Sequence, residues 1–219
     1  MLSSLARRQN HSLICVAAVL IYHCVFFFPS LLPGYSRLYQ SGFALSFSNL
    51  AFYIPCTLLL WRQYRRNYPF LPLGTFSFRY FFIGLAAIAA LNFISHFVHV
   101  EHVEEEWITS LRNYPPAVKV GFIFAIGFAA PFCEEVIFRG FFLNASLGWG
   151  KIGRQSVIVV TSLCFALLHT QYQAPSTFIW LFIFSALLCV IRIASGGLLV
   201  PILLHMVSNM LSLAVVFGG

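Results

Sequence analysis

The amino-acid sequence predicts an all-α fold, a polytopic transmembrane helix bundle with about seven spans. The composition is the first reason, because 60% of the 219 residues are hydrophobic and only 9% are charged, far from the balance of a soluble domain. The second reason is that apolar runs recur along the chain. Their lengths are close to the roughly 20 residues that a helix needs to cross a bilayer. We therefore expect a single membrane domain, residues 1–219.

Seven apolar runs define the expected spans, with turns and charged residues between them. The first run follows Arg7 and Arg8. It is longer than the apolar part of a signal peptide and lacks a small-residue cleavage site, so we expect it to be retained as a span. The runs cover residues 13–32, 42–61, 80–98, 117–144, 156–170, 177–194 and 198–217.

The basic residues between the runs predict the orientation. If the spans alternate across the membrane, only Arg37, Arg112 and Lys119 fall on one side. The positive-inside rule assigns the richer side to the cytoplasm. We therefore expect a multi-pass cell (inner) membrane protein with the N-terminus inside and the C-terminus outside. The richer side holds Arg7, Arg8, Arg62, Arg65, Arg66, Arg79, Lys151, Arg154 and Arg192.

The net charge of +7 follows from these topology signals, so we expect membrane lipid as a partner and no nucleic acid. The cysteines also fit a membrane interior, because they lie within apolar runs and lack metal-type or disulfide-framework spacing. We expect small buried hydrophobic side chains at Cys15, Cys24, Cys56, Cys133, Cys164 and Cys189.

The segment PFCEEVIFRG, residues 131–140, places two carboxylates and a guanidinium inside the fourth apolar run. Inserting a charged side chain at the bilayer centre costs at least about 2.5–3.5 kcal/mol of free energy. Three such side chains together therefore indicate a structural or functional role. Glu135 and Arg139 are four residues apart, which favours a structural ion pair on one helix face. Glu134 points about 100° away from Glu135, and a carboxylate removed from water suits a general base. Pro131 lacks a backbone donor and is expected to kink the helix beside the acids.

Three further polar residues lie in the later runs. Along ideal helices, Glu134 and His169 are about 21 and 23 Å from the same end of their spans. His205 and Asn209 are four residues apart and share one helix face. Four polar side chains from three helices can therefore converge within the bilayer. For each histidine taken alone, a hydrogen bond to a neighbouring carbonyl is an equally good explanation.

Three short motifs of the sequence resemble those of a known protein family. EEVIFR at 134–139, FALLH at 165–169 and HMVSN at 205–209 resemble, in order, the EExxxR, FxxxH and HxxxN motifs of the CAAX protease and bacteriocin-processing family. Members of this family are intramembrane endopeptidases. The resemblance covers about residues 117–217, which we expect to be the catalytic core.

The resemblance implies a role for each motif residue and requires neither a metal nor a cofactor. Peptide hydrolysis needs a base for water and donors aimed at the developing oxyanion, and the motifs supply both. By resemblance, the base would be Glu134 with His169, the oxyanion hole would be His205 with Asn209, and the supporting pair would be Glu135 with Arg139.

The expected function is therefore a glutamate-type intramembrane endopeptidase. It would hydrolyse a peptide bond near the C-terminus, or in the membrane-embedded part, of a membrane-associated protein or peptide. Members of the family process prenylated proteins, peptide pheromones, bacteriocins or sorting tails. No residue of this sequence indicates which of these substrates it uses. One alternative is a scaffold or immunity protein that keeps the fold without catalysis.

Metal binding is a second alternative. His96, His99 and His102 are spaced by three and precede Glu104, Glu105 and Glu106, and such a cluster could ligate a divalent metal. A solvated loop or interfacial helix with Trp107 at headgroup level is favoured, because the spacing lacks a strict ligand template. Zinc held by Glu134, His169 and His205 would make a metalloprotease, but the HEXXH pattern is absent.

Overall fold

The computed structural model describes residues 4–68, 73–97 and 110–218. This part of the chain is helical and contains no strand, which confirms the all-α prediction. Five long helices and one short one account for most of it. They are α1 (Ser4–Phe27), continued by a 3₁₀ turn to Leu31, α2 (Tyr35–Gln40), α3 (Ala44–Arg66), α4 (Phe78–Phe97), α5 (Pro116–Leu147) and α6 (Gly150–Leu167). Two more helices, α7 (Pro175–Ser195) and α8 (Leu199–Gly218), complete the bundle.

Six helices of the described chain are long and apolar enough to cross a membrane: α1 with its 3₁₀ turn, α3, α4, α5, α7 and α8. Helix α6 corresponds to the remaining expected span and has 18 residues, about 27 Å of helix. It begins with polar residues that include Lys151 and Arg154, and it packs against α5 and α7. The prediction of a multi-span bundle is confirmed.

Large apolar side chains cover the outside of the bundle. Helix α4 shows this most clearly, because Gly84 and Ile88 are its buried residues while Phe82, Phe93 and Ile94 are more than half exposed. A helix that is apolar all round and still open on its outer side has no place in water. The chain is a multi-pass membrane protein.

The interior is built around α5. Helices α1, α6 and α7 pack against its second half, and α8 packs against its middle. The main core cluster combines small side chains such as Cys133 and Ala166 with rings such as Phe138, Phe165 and Phe184. Small residues let helices approach closely in a membrane, and the rings fill the space between them. The charged residues of α5 lie inside this packing.

Helix α5 departs twice from α-helical hydrogen bonding, at the π turns Ala125–Ala129 and Glu135–Phe142. The two turns flank the α-helical segment Ala130–Glu134, which contains Pro131. At the first turn the Ala130 N–H bonds to the Ala125 carbonyl, five residues back. The expected irregularity beside the acids is present, as π turns rather than a simple kink, and such turns often mark functional sites.

Two expectations need correction. His169 is not within a helix, because α6 ends at Leu167 and His169 lies in the turn that follows. Cys24 is exposed rather than buried, because it shares the outward face of α1 with the exposed Leu13 and Leu20. Cys15, Cys133 and Cys189 are buried as expected, and Cys56 and Cys164 are half-buried.

The histidine and glutamate cluster before α5 is only partly visible. His96 lies at the C-terminal end of α4. His99, His102, Glu104, Glu105, Glu106 and Trp107 lie outside the described residues.

The start of α8 is fixed by a close backbone approach. Gly196 has φ of 70° and ends α7 in the left-handed conformation that glycine adopts without steric cost. A methyl group on Gly197 would collide with the Gly74 backbone and lie 2.7 Å from the Leu73 carbonyl oxygen. Leu73 also accepts a hydrogen bond from the Leu199 N–H at 2.7 Å. The segment before α4 therefore determines where α8 begins.

We predict that Gly197→Ala destabilises the protein, because backbone atoms cannot move aside as a flexible side chain would. Overpacking of this kind costs about 1–3 kcal/mol, and thermal unfolding in detergent measures it. Gly148→Ala is the matched control, since nothing lies within 4 Å of that position. Equal melting temperatures for the two variants would contradict the close approach.

Candidate active site

Two adjacent glutamates of α5 lie in different surroundings. The Glu135 side chain is completely buried, at 0% exposure, whereas the Glu134 side chain is 24% exposed. Neighbouring helix positions point in different directions, so one carboxylate faces the packed core and the other faces a space that solvent reaches. The environment therefore separates two groups of the same chemistry, a pattern by which enzymes assign different roles to paired carboxylates.

Glu135 forms the predicted ion pair with Arg139. Arg139 Nη1 donates to Glu135 Oε1 at 2.8 Å, and both side chains are fully buried. Arg139 Nη2 donates to the Ser185 carbonyl of α7 at 3.3 Å, and the guanidinium carbon lies 4.6 Å from the centre of the Phe165 ring. A buried charge pair needs such added contacts to offset desolvation. The pair ties α5 to α6 and α7.

His205 of α8 connects the two glutamates. Its Nδ1 is 2.8 Å from Glu135 Oε1, and its Nε2 is 3.8 Å from Glu134 Oε2. The ring is buried and packs edge-on against Phe165 and Phe184, with ring centres 5.9 and 5.3 Å away. Because Glu135 already faces Arg139, it acts as the acceptor for an Nδ1–H of His205. That bond orients the imidazole so that Nε2 faces Glu134.

His169 reaches the site from the end of α6. Its Nδ1 is 2.7 Å from the Phe165 carbonyl oxygen, and its ring centre lies 4.5 Å from that of Phe165. A carbonyl only accepts hydrogen bonds, so Nδ1 is the donor and the neutral ring keeps a lone pair on Nε2. Phe165 also contacts Arg139 and His205. The structure thus links His169 to the other site residues through Phe165, not by a direct hydrogen bond.

Asn209 bonds to the backbone of α5. Its Nδ2 donates to the Ile126 carbonyl at 2.9 Å, and the π turn explains why that carbonyl is available. In an α-helix its donor would be the Ala130 N–H, which here bonds to Ala125. In a π register its donor would be Pro131, which has no N–H. One N–H of the Asn209 amide remains for a further acceptor.

Several residues near the site were not identified from the sequence. Tyr22 of α1 is 5% exposed and lies within electrostatic range of Glu134 and Cys133. Ser185 supplies a carbonyl to Arg139, and Phe165 is the ring shared by three site residues. Phe165 could have been found, because it is the first residue of the FALLH motif. Tyr22 and Ser185 have no motif around them to reveal their role.

Each of the two site histidines has its Nδ1 in a hydrogen bond. Nδ1 of His205 bonds to Glu135, and Nδ1 of His169 bonds to Phe165. Among residues 4–68, 73–97 and 110–218, no group of three histidine, cysteine or acidic side chains is placed to hold a metal ion.

The part of the chain that carries the site is similar to known proteins. Residues 116–211 match the family model described as type II CAAX prenyl endopeptidase Rce1-like. A stretch of 84 residues is 42% identical to an uncharacterized 24.3 kDa protein of Escherichia coli, covering 38% of this chain and 39% of that protein. This chain therefore aligns with well under half of the length of that relative. No solved structure matches. The matched segment contains the six candidate site residues, and the match agrees with the resemblance that the three motifs carry.

Proposed function

We propose that this protein is a glutamate-type intramembrane endopeptidase in which Glu134 is the general base. The observation that carries the proposal is the contrast between the two glutamates. Glu135 is sealed from solvent by Arg139 and His205, while Glu134 is partly exposed and lies 3.8 Å from the His205 ring. A base must reach both water and substrate, and the partial exposure of Glu134 supports its assignment to that role.

In the proposed reaction, Glu134 accepts a proton from a water molecule as the water oxygen attacks the scissile carbonyl carbon. His169 assists, since its Nε2 lone pair can accept a hydrogen bond from the same water. The tetrahedral intermediate then collapses, the carbon–nitrogen bond breaks, and the proton held by Glu134 passes to the leaving nitrogen. The products are an amine and a carboxylic acid, which then releases its proton to solvent, and no covalent enzyme intermediate forms.

His205 and Asn209 are the proposed donors to the oxyanion. With a proton on each ring nitrogen, His205 donates through Nδ1 to Glu135 and offers Nε2–H toward the reacting carbonyl. The second N–H of Asn209 lies on the same helix face. Donors fixed in place before the reaction stabilise the oxyanion without reorganisation.

The proposed substrate is a membrane-associated protein or peptide cut near its C-terminus or within its membrane-embedded part. The name of the matching family, type II CAAX prenyl endopeptidase, points to prenylated CAAX proteins. Glu134 is partly exposed on a helix long and apolar enough to cross a membrane, which supports a membrane-associated substrate. We propose that catalysis needs no cofactor and that membrane lipid is the other partner. The catalytic core would be residues 117–217 of one membrane domain, 1–219.

We further propose that the protein lies in the cell (inner) membrane, with its N-terminus in the cytoplasm and its C-terminus outside. This orientation rests on the basic residues near the ends of α1 and α3, including Arg7, Arg8, Arg62, Arg65 and Arg66, and on the positive-inside rule.

We predict that Glu134→Gln abolishes peptide cleavage without loss of protein. The amide keeps the shape of the side chain but cannot take a proton from water, and removal of a general base typically costs about 10²–10⁴-fold in rate. The measurement uses the purified chain in lipid vesicles with a prenylated peptide that ends in a CAAX sequence. In parallel, mass spectrometry compares the C-termini of membrane proteins from cells that contain the wild type or the variant.

Glu134→Asp is the control, because it retains the carboxylate and should keep measurable activity. All assays contain a chelator. Full activity of Glu134→Gln would contradict the assignment of Glu134 as the base. Activity that appears only after zinc is added would assign the chemistry to a metalloprotease. Identical C-termini in wild-type and variant cells, with no cleavage of the peptide by either form, would favour a scaffold or immunity role.

We predict that Arg139→Met strongly destabilises the protein and that Glu135→Gln in the same chain restores most of the loss. The single change leaves a buried carboxylate without its cation, which costs about 3–5 kcal/mol, whereas removing both charges is often close to neutral. The amide introduced by Glu135→Gln still offers an oxygen to His205 Nδ1. Thermal unfolding in detergent compares the two single variants and the double variant. A double variant no more stable than Arg139→Met would contradict the ion-pair account.

A further inference from the structure

A groove between α1 and α3 is lined by none of the candidate active-site residues. It has a volume of about 190 Å³, is open on one side, and is lined almost entirely by apolar atoms. Ile14, Ala17 and Ile21 of α1 form one wall, Leu60 of α3 forms another, and Phe141 of α5 forms the floor. In a bilayer, an open apolar groove of this kind faces acyl chains.

One end of the groove is polar. Gln63, Tyr64 and Tyr68 line it there, and Tyr68 Oη accepts a hydrogen bond from Asn10 Nδ2 at 3.4 Å. His11 Nε2 is 2.6 Å from Tyr64 Oη. The groove therefore runs from an apolar interior to a cluster of hydroxyl and amide groups at one membrane surface. A phospholipid has the same change in polarity along its length.

Three arginines are placed toward this polar end, two by their positions on α1 and α3 and one by its proximity to Tyr64. Arg7 and Ile14 are seven residues apart, so they share a face of α1, with Arg7 about 10.5 Å nearer the surface. Arg66 is one helical turn beyond Gln63 on α3, and both Arg7 and Arg66 are exposed. Arg192 of α7 adds a buried cation. It is 6% exposed, its Nε has no hydrogen-bond partner among the described residues, and it lies within electrostatic range of Tyr64.

No carboxylate of the described chain balances these cations. Its two acidic residues are Glu134 and Glu135, and both belong to the candidate active site. The other four acidic residues of the sequence lie between positions 101 and 106, outside the described residues. Basic pockets between membrane helices bind anionic lipid headgroups, and the uncompensated arginines give this groove the charge for such a ligand.

We propose that the groove between α1 and α3 binds one anionic phospholipid of the bilayer, with an acyl chain against Ala17 and Phe141 and the phosphate beside Arg7 and Arg66. The site is separate from the glutamates and stands independently of the proposed protease activity. A neutral phospholipid fills the apolar part equally well but lacks the net charge that the arginines attract. The site therefore selects by headgroup.

The test is native mass spectrometry of the purified full chain, titrated with phosphatidylglycerol or with phosphatidylcholine of the same acyl chains. We expect tighter binding of phosphatidylglycerol to the wild type. Arg7→Gln with Arg66→Gln should lower that affinity by about fivefold for each arginine. The matched control is Arg79→Gln with Arg154→Gln, which removes two exposed positive charges at the starts of α4 and α6 and should leave binding unchanged.

A third variant tests the apolar part. Ala17→Trp fills the groove from an exposed position and leaves every arginine in place, so we expect bound phosphatidylglycerol to be lost. Equal retention of the two lipids by the wild type would overturn the proposal. An equal loss of phosphatidylglycerol affinity in the two double-arginine variants would also overturn it, because it would indicate general attraction to the charged surface. Unchanged binding of phosphatidylglycerol to Ala17→Trp would overturn it as well. If the wild type has the mass of two chains and the Ala17→Trp variant has the mass of one, the groove instead holds a second copy of the protein.

Discussion

The bond between Glu135 and Arg139 is the interaction on which the rest of the site depends. It occupies the centre of the helix bundle, with both side chains fully buried, and Arg139 extends it to the Ser185 carbonyl and the Phe165 ring. Because Glu135 is held in this way, it can in turn hold His205 through Nδ1. Charged side chains are energetically unfavourable in a membrane interior, but this pair holds three other helices around Glu134.

The backbone of α5 contributes as much as its charges. The first π turn leaves the Ile126 carbonyl without a backbone donor, and Asn209 supplies one. Helix α8 is therefore attached to α5 at two levels, by His205 at Glu135 and by Asn209 at Ile126. The close approach of Gly197 to Gly74 sets where α8 starts. These contacts together hold α8, and with it His205, against α5.

Much of this arrangement could be predicted from the sequence, and the limits are physical. The Glu135–Arg139 pair was predictable because it is local to one helix. The contact of His205 with Glu135 was not, because it joins residues 70 positions apart and depends on how two helices rotate against each other. The apolar pattern continues past Leu167 and therefore predicts a helix that includes His169, whereas the helix ends at Leu167. The π turns have no reliable sequence signal beyond Pro131.

The contrast between Glu134 and Glu135 is central to the account, and it requires that the His205 ring be oriented by Glu135. Nitrogen-15 NMR of histidine-labelled protein in lipid nanodiscs measures this directly. The account predicts a protonated, hydrogen-bonded Nδ1 on His205 in the wild type and in a Glu134→Gln variant, and loss of that signal in Glu135→Leu. A His205 Nδ1 that carries no proton in the wild type, or a signal that persists without Glu135, would contradict it.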